Sequence, residues 1–270
     1  MTREFSNQDG GEEMEYLKLA VEDHVAFITI NRAPANALST GMIKEISEVL
    51  DELSQNEEVR VILLHGEGRF FSAGADIKEF TQIENGPAFS ALATNGQAVF
   101  EKIEKFPKPV IAAIHGAALG GGLELAMSCH IRLVTERAKL GLPELQLGLI
   151  PGFAGTQRLP RYVGTAKAAE MLFTSEPITG VEAVQYGLAN RAYSDEELLS
   201  KAKELALKVA KKSPLALKAI IEQLNYLKHD SYYKGVANEA AQFGTIFESN
   251  DAKEGINAFI EKREPLFTGK

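Results

Sequence analysis

KPVIAAIHGAALGGGLELAMSC, residues 108–129, runs from an apolar stretch through a glycine triplet into a helical pattern carrying one acid, Glu124. The run VIAAI has the length and composition of a strand buried on both faces. Glycines at the turn into the following helix complete a strand-to-helix unit, the building block of an α/β fold. An ionised carboxylate left among apolar groups is costly. Glu124 is therefore at the surface, satisfied by a partner, or present for chemistry.

Working outward, YLKLAVEDHVAFITINR (16–32) alternates in polarity about a short break and predicts a two-stranded hairpin. Ser39 opens an amphipathic helix with apolar residues at 42, 43, 46, 49, 50 and 53. VRVILLHG (59–66) predicts a buried strand, EGRFFSAGADIKEF (67–80) a loop, residues 89–106 a helix and HIRLVTE (130–136) another strand. Beyond about residue 160 the segments all carry a helical period, so the C-terminal third is expected to be helical. The expected organisation is a flexible tail over 1–13, an α/β core over 14–205 and a helical region over 206–270.

The 270 residues are 45% apolar and 24% charged, an ordinary globular balance. A net charge of −8 opposes nonspecific binding to nucleic acid or an anionic membrane. It leaves room for a phosphorylated small ligand, which needs only a local patch of amides and a few lysines. No apolar run is long enough for a membrane span, and the N-terminus lacks a secretory pattern, so a cytoplasmic protein is expected. The single cysteine, Cys129, excludes an intrachain disulfide and is read as a small core hydrophobe. The histidines (24, 65, 115, 130, 229) lack metal-ligand spacing, so no metal site is expected.

Gly120, Gly121 and Gly122 stand where a helix begins, so their amides lack intrahelical partners and the dipole favours negative charge. Without a Cβ, a ligand can approach their backbone closely. Glu124 lies about one turn on from Gly121, on a side chain that leans back toward the helix start. In LGLPELQLGLIPG (140–152), Glu144 is a second lone acid, placed by Pro143 at the start of a short helix. FFSAGADI (70–77) is a third segment able to offer a backbone N–H. Each feature also has an ordinary reading: close packing for the glycines, a solvated face for the acids, loop surface for Asp76 and Lys78. No dinucleotide fingerprint, phosphate loop or nucleophile elbow occurs.

RFFSAGADIKEF, KPVIAAIHGAALGGGLELAMSC, LGLPELQLGLIPG and GTQRLPRYVGTAKAAEMLF occur in order and, over about residues 15–267, resemble successive signatures of the crotonase (enoyl-CoA hydratase/isomerase) superfamily. The resemblance is nearest to bacterial short-chain enoyl-CoA hydratases. It implies an α/β spiral of ββα units with a C-terminal helical trimerisation region. It also implies hydration of 2-trans-enoyl-CoA to 3-hydroxyacyl-CoA in fatty-acid β-oxidation, by a trimer or a dimer of trimers. Coenzyme A is then part of the substrate, and no separate cofactor, nucleic-acid partner or membrane partner is implied.

By the same resemblance Ala75 and Gly121 supply the oxyanion-hole amides, and Glu124 and Glu144 are catalytic, as base toward water and as proton donor. The residues themselves do not fix which acid is which. Gly152 would help hold the water. Ala73, Ala75, Asp76, Ile77, Lys78, Phe259 and Lys262 match positions that meet coenzyme A. NRAPANAL (31–38) is one residue shorter than the family loop that in several relatives carries a lysine, and PGFAG (151–155) stands where the family more often has PGxGG, so that Phe153 would crowd the acyl tunnel. Rival readings are a methylglutaconyl-CoA-type hydratase, an enoyl-CoA isomerase, an RNA-binding relative and an inactive acyl-CoA-binding relative. The second glutamate weighs against the isomerase and the acidic charge against RNA.

Overall fold

The computed structural model describes residues 3–4, 14–225 and 230–265. Strand β1 (Arg3–Glu4) pairs antiparallel with β2 (Leu17–Glu22). The rest of the expected N-terminal tail lies outside the described residues. β2 and β3 (Val25–Ile30) form the predicted hairpin, closed by Asp23 and His24 at φ of 50° and 66°. Two left-handed residues are what a two-residue hairpin loop needs to match strand twist. Helix α1 (Thr40–Gln55) starts where Ser39 caps the Met42 amide, and buries the six apolar residues that the sequence singles out.

Then follow β4 (Val61–Gly66), a short α2 (Ile77–Phe80), α3 (Gly86–Glu104) and β5 (Val110–Ile114). β6 (Ala117–Leu119) leads into α4 (Gly121–Ser128), and β7 (Ile131–Thr135) and β8 (Lys139–Gly141) precede a 3-10 turn, Glu144–Leu147. Helix α5 (Gly155–Thr174) breaks its helical backbone at Gly164. β9 (Ile178–Thr179), α6 (Gly180–Gln185) and β10 (Arg191–Tyr193) come before α7 (Leu198–Ala210), α8 (Pro214–Asn225), α9 (Asp230–Phe247) and α10 (Asn250–Glu261).

Seven strands form the main sheet in the order β1-β2-β3-β4-β5-β7-β10, antiparallel from β1 to β3 and parallel from β3 onward. Side chains alternate between its faces. Val61, Leu63, Ile111 and Ala113 point to a layer made by Leu198, Ala202, Ala206 and Ala210 of α7. Ile62, Leu64, Val110, Ala112 and Ile114 point to the larger core, with α1, α3 and α4. Burial on both faces explains why β4 and β5 read as continuous apolar runs. The alanines of α7 recur every four residues and let the helix lie close to the sheet. The 205/206 division falls inside this helix.

The helical reading of the C-terminal third is corrected at two places, since β9 joins β6 and β8 in a second sheet and β10 extends the main one. Strands of two or three residues are too short to show a period of two, so their register comes from the neighbours they pair with. The helix read directly after β5 is likewise preceded by the short β6. Among the described residues, no helix is long and apolar enough to cross a membrane. Cys129 is buried, and burial pushes its thiol up to about 12, which fits its reading as a core hydrophobe.

Candidate active site

Residues 72–76 are laced between two neighbours. On one side the Ser72 amide donates to Ala117 O (3.2 Å) and Leu119 N donates to Ser72 O (3.1 Å). On the other, Leu38 N donates to Gly74 O (2.8 Å) and Asp76 N to Leu38 O (3.0 Å). Gly74 takes a φ of 102°, open to glycine at little cost, and its own amide donates to the Ser72 hydroxyl. The loop is thereby pressed against the start of α4. A Cβ on Gly121 would lie 3.3 Å from the Ala75 amide nitrogen, and one on Gly74 would lie 3.3 Å from the Gly121 nitrogen. Two backbone amides from distant segments thus meet at one point, one of them in the first turn of a helix.

Glu124, 1% exposed, stands one turn further along α4. Its Oε1 accepts from the amides of Phe153 (2.8 Å) and Gly155 (2.7 Å). Those donors come from the turn that opens α5, where Ala154 holds a left-handed φ of 70°. The sequence reading places this carboxylate beside the start of α4 but does not report these donors from the turn that opens α5. Glu144 enters from the 3-10 turn after Pro143, and its Oε1 would lie 3.0 Å from a Cβ on Gly120. Gly120 itself has a φ of 52°. Both acids and both amide-bearing residues face one cavity of about 690 Å³.

That cavity has a closed end and an open end. Phe153 is 3% exposed, and its ring packs edge-on against Phe100 with centroids 5.3 Å apart. The ring occupies the space where a Cβ on Gly121 or Gly96 would sit, 3.0 Å and 2.4 Å from its nearest atoms. Phe259, 59% exposed, and Arg263 lie at the open end. Arg263 is held by two bonds to Glu254 (2.6 and 2.8 Å) and one to Glu261 (2.6 Å). Phe80 and Phe243 form a side wall, backed by Phe89 and Phe247 with ring centroids 4.0–4.7 Å apart along the Phe80–Phe89–Phe247 chain.

Of the residues singled out in the sequence, Ala73, Ala75, Ile77, Gly121, Glu124, Glu144, Gly152 and Phe259 line this cavity together. Asp76, Lys78 and Lys262 do not. Asp76 caps α2 through the Lys78 amide (3.1 Å) and pairs with Arg32 (2.5 Å), which ties the NRAPANAL loop to the amide-bearing loop. Lys78 and Lys262 are exposed, and Lys262 ends α10 in a left-handed conformation. Sequence reasoning misses Phe80, Leu147, Leu149, Phe243 and Arg263 on the wall. Phe243 comes from α9, about 120 residues from α4, and no local pattern marks it; Arg263, next to Lys262, sits in a segment the sequence does mark.

The family described as enoyl-CoA hydratase/isomerase matches residues 20–270. A probable enoyl-CoA hydratase of Bacillus subtilis is 58% identical over 258 residues, covering 95% of this chain and 100% of the relative. A short-chain-enoyl-CoA hydratase of Clostridium acetobutylicum is 41% identical over 256 residues, covering 93% and 97%. The crystal structure of an enoyl-CoA hydratase from Bacillus anthracis superposes with a TM-score of 0.76 at 36% identity, covering 95% of this chain and all of that one. With the two-sheet α/β architecture and helical C-terminal region described above, these matches show that the chain has the crotonase fold and belongs to the enoyl-CoA hydratase/isomerase family.

Proposed function

We propose that the protein is an enoyl-CoA hydratase that adds water across the double bond of 2-trans-enoyl-CoA thioesters, giving 3-hydroxyacyl-CoA. The observation that carries this reading is the convergence of two carboxylates and two backbone amides on one cavity with a closed apolar end. The thioester oxygen sits between the Ala75 and Gly121 amides. Negative charge builds on it as water adds, and one such donor is worth about 2.7–4 kcal/mol. Glu124, fixed by two amides beside Gly152, takes a proton from water as the oxygen bonds to C3. The π electrons move toward the thioester oxygen, and Glu144 returns a proton to C2 as the carbonyl re-forms. Two acids divide these roles only when their surroundings hold their protonation states apart, and the surroundings here differ. Glu124 is buried at the closed side, whereas Glu144 is half-buried in a turn.

The acyl tail lies toward Phe153 and coenzyme A leaves by the open end past Ala73, Ile77 and Phe259, with Asp76, Lys78 and Lys262 outside the cavity near its CoA end. No cofactor beyond the coenzyme A of the substrate enters the chemistry. The step, from an enoyl to a 3-hydroxyacyl thioester, is the hydration of fatty-acid β-oxidation. Exposed Leu215, Ile220 and Leu224 on α8 support assembly with further copies of the chain, as a trimer or a dimer of trimers. The test is to follow loss of the conjugated thioester absorbance of crotonyl-CoA in deuterated water. A 3-hydroxybutyryl-CoA product carrying one deuterium at C2 is expected. Turnover of a 3-enoyl-CoA to the 2-enoyl isomer, with no hydration, would overturn the reading.

A further inference from the structure

We infer that Gln97, on α3, is a positioning residue for Glu124, acting through the peptide that joins Gly152 to Phe153. The inference rests on the hydratase reading above. Gln97 is 5% exposed and shares the buried face of α3 with Ala93, Phe100 and Ile103. A polar side chain there costs desolvation unless it is hydrogen-bonded. Its Nε2 donates to Gly152 O at 2.8 Å. The N–H of that same peptide unit, on Phe153, donates to Glu124 Oε1 at 2.8 Å.

A peptide is planar, and in this trans unit its C=O and N–H point in opposite directions. Fixing the carbonyl at one end therefore aims the N–H at the other. Gln97 never meets the substrate in this arrangement; it sets the direction of one of the backbone donors that hold the carboxylate. Polarisation along the chain Gln97–peptide–Glu124 strengthens both bonds in the same sense. The next carbonyl, Phe153 O, is gripped separately by Arg158 (2.5 Å), so the turn keeps a second anchor when Gln97 is replaced.

The experiment compares Gln97→Met, of similar length without a donor, with Gln97→His, whose ring N–H reaches about as far as the amide it replaces. Crotonyl-CoA hydration is measured for each, alone and combined with Glu124→Gln. For Gln97→Met, kcat is expected to fall about 10- to 100-fold with KM nearly unchanged, the scale of a small misplacement of a catalytic group. Gln97→His is expected to recover most of that loss. In the Glu124→Gln background, Gln97→Met should change the residual kcat little, since the group it positions is already disabled.

An equal fold-loss in both backgrounds, or a raised KM with kcat intact, would overturn the inference. Loss of activity at Glu124→Gln with no effect at Gln97 sinks this inference alone. An unaffected Glu124→Gln sinks the hydratase mechanism and the inference with it. Should Gln97→Met not fold, Gln97→Asn, an amide one methylene too short, takes its place. Equal kcat for the asparagine and histidine variants then contradicts the inference.

Discussion

Phe153 carries two roles on one residue. Its backbone N–H holds Glu124, while its ring closes the buried end of the cavity against Gly96 and Phe100. Phe153→Ala keeps the first role and removes the second. It is expected to shift the ratio of kcat/KM for an eight-carbon over a four-carbon enoyl-CoA upward by about tenfold or more, since each buried methylene is worth about 0.8 kcal/mol. Steady-state kinetics on the two substrates read this directly, and an unchanged ratio would show that the tail runs elsewhere. At this scale the sequence is informative about identity and silent about partners. A lone acid after three glycines draws attention to Glu124, and the family resemblance, not the spacing alone, gives it a role. That its donors are the amides of Phe153 and Gly155 depends on a turn about 30 residues away, which no local pattern reports.

Between elements, the buried pair of Arg158 on α5 and Glu104 at the end of α3 joins two helices that flank the site (3.0 Å). Arg158 is 1% exposed and also donates to Phe153 O. Removing one member of a buried pair is strongly destabilising, so Arg158→Met is expected to lower the unfolding free energy by about 3 kcal/mol in urea titrations. A loss within the range of an ordinary surface substitution would mean that the helices are held by their apolar contacts alone.

A second coupling, between β3 and β4, is pH-dependent. The His65 ring donates from Nδ1 to Gly66 O (3.1 Å), and its Nε2 is hydrogen-bonded to the Thr29 hydroxyl (3.0 Å). Burial holds its pKa below the ordinary 6.5, and His115 adds to the lowering against the opposing pull of Gly66 O and Glu67. A lowered folded-state value means the stabilisation is complete above pH 6.5 and is lost as pH falls through that lowered value. Thermal midpoints measured down to about pH 5 should fall more steeply for the native chain than for His65→Gln. Parallel curves would remove His65 from the account. Neither coupling is visible in sequence, where Glu104, Arg158 and His65 look like any other polar residue in a periodic segment. The long periodic elements themselves are legible, α1 down to its six buried positions, because burial of one face writes the period into the residues.

Over the whole molecule, the fold brings together five segments that are separate in the chain. The loop 72–76 supplies one amide, α4 the other and the first acid, the 3-10 turn the second acid, and α9 and α10 part of the wall. The main sheet makes this possible. Its parallel strands all deliver their following loops to one end, where open α/β sheets bind ligands. The ordered motifs name Ala75, Gly121, Glu124 and Glu144 together through the family resemblance they carry, and all four line one cavity. The short strands β8, β9 and β10 and the aromatic wall were not legible, because they are fixed by pairing and packing across long sequence separations. The central claim is that two glutamates act as a pair around one oxyanion site. Its most direct test is the kcat for crotonyl-CoA hydration in Glu124→Ala and in Glu144→Ala, each checked for an unchanged fold by circular dichroism. The account predicts that each single substitution lowers kcat by at least about 100-fold, the scale of a lost general acid or base. A variant of either acid that keeps native kcat would contradict it.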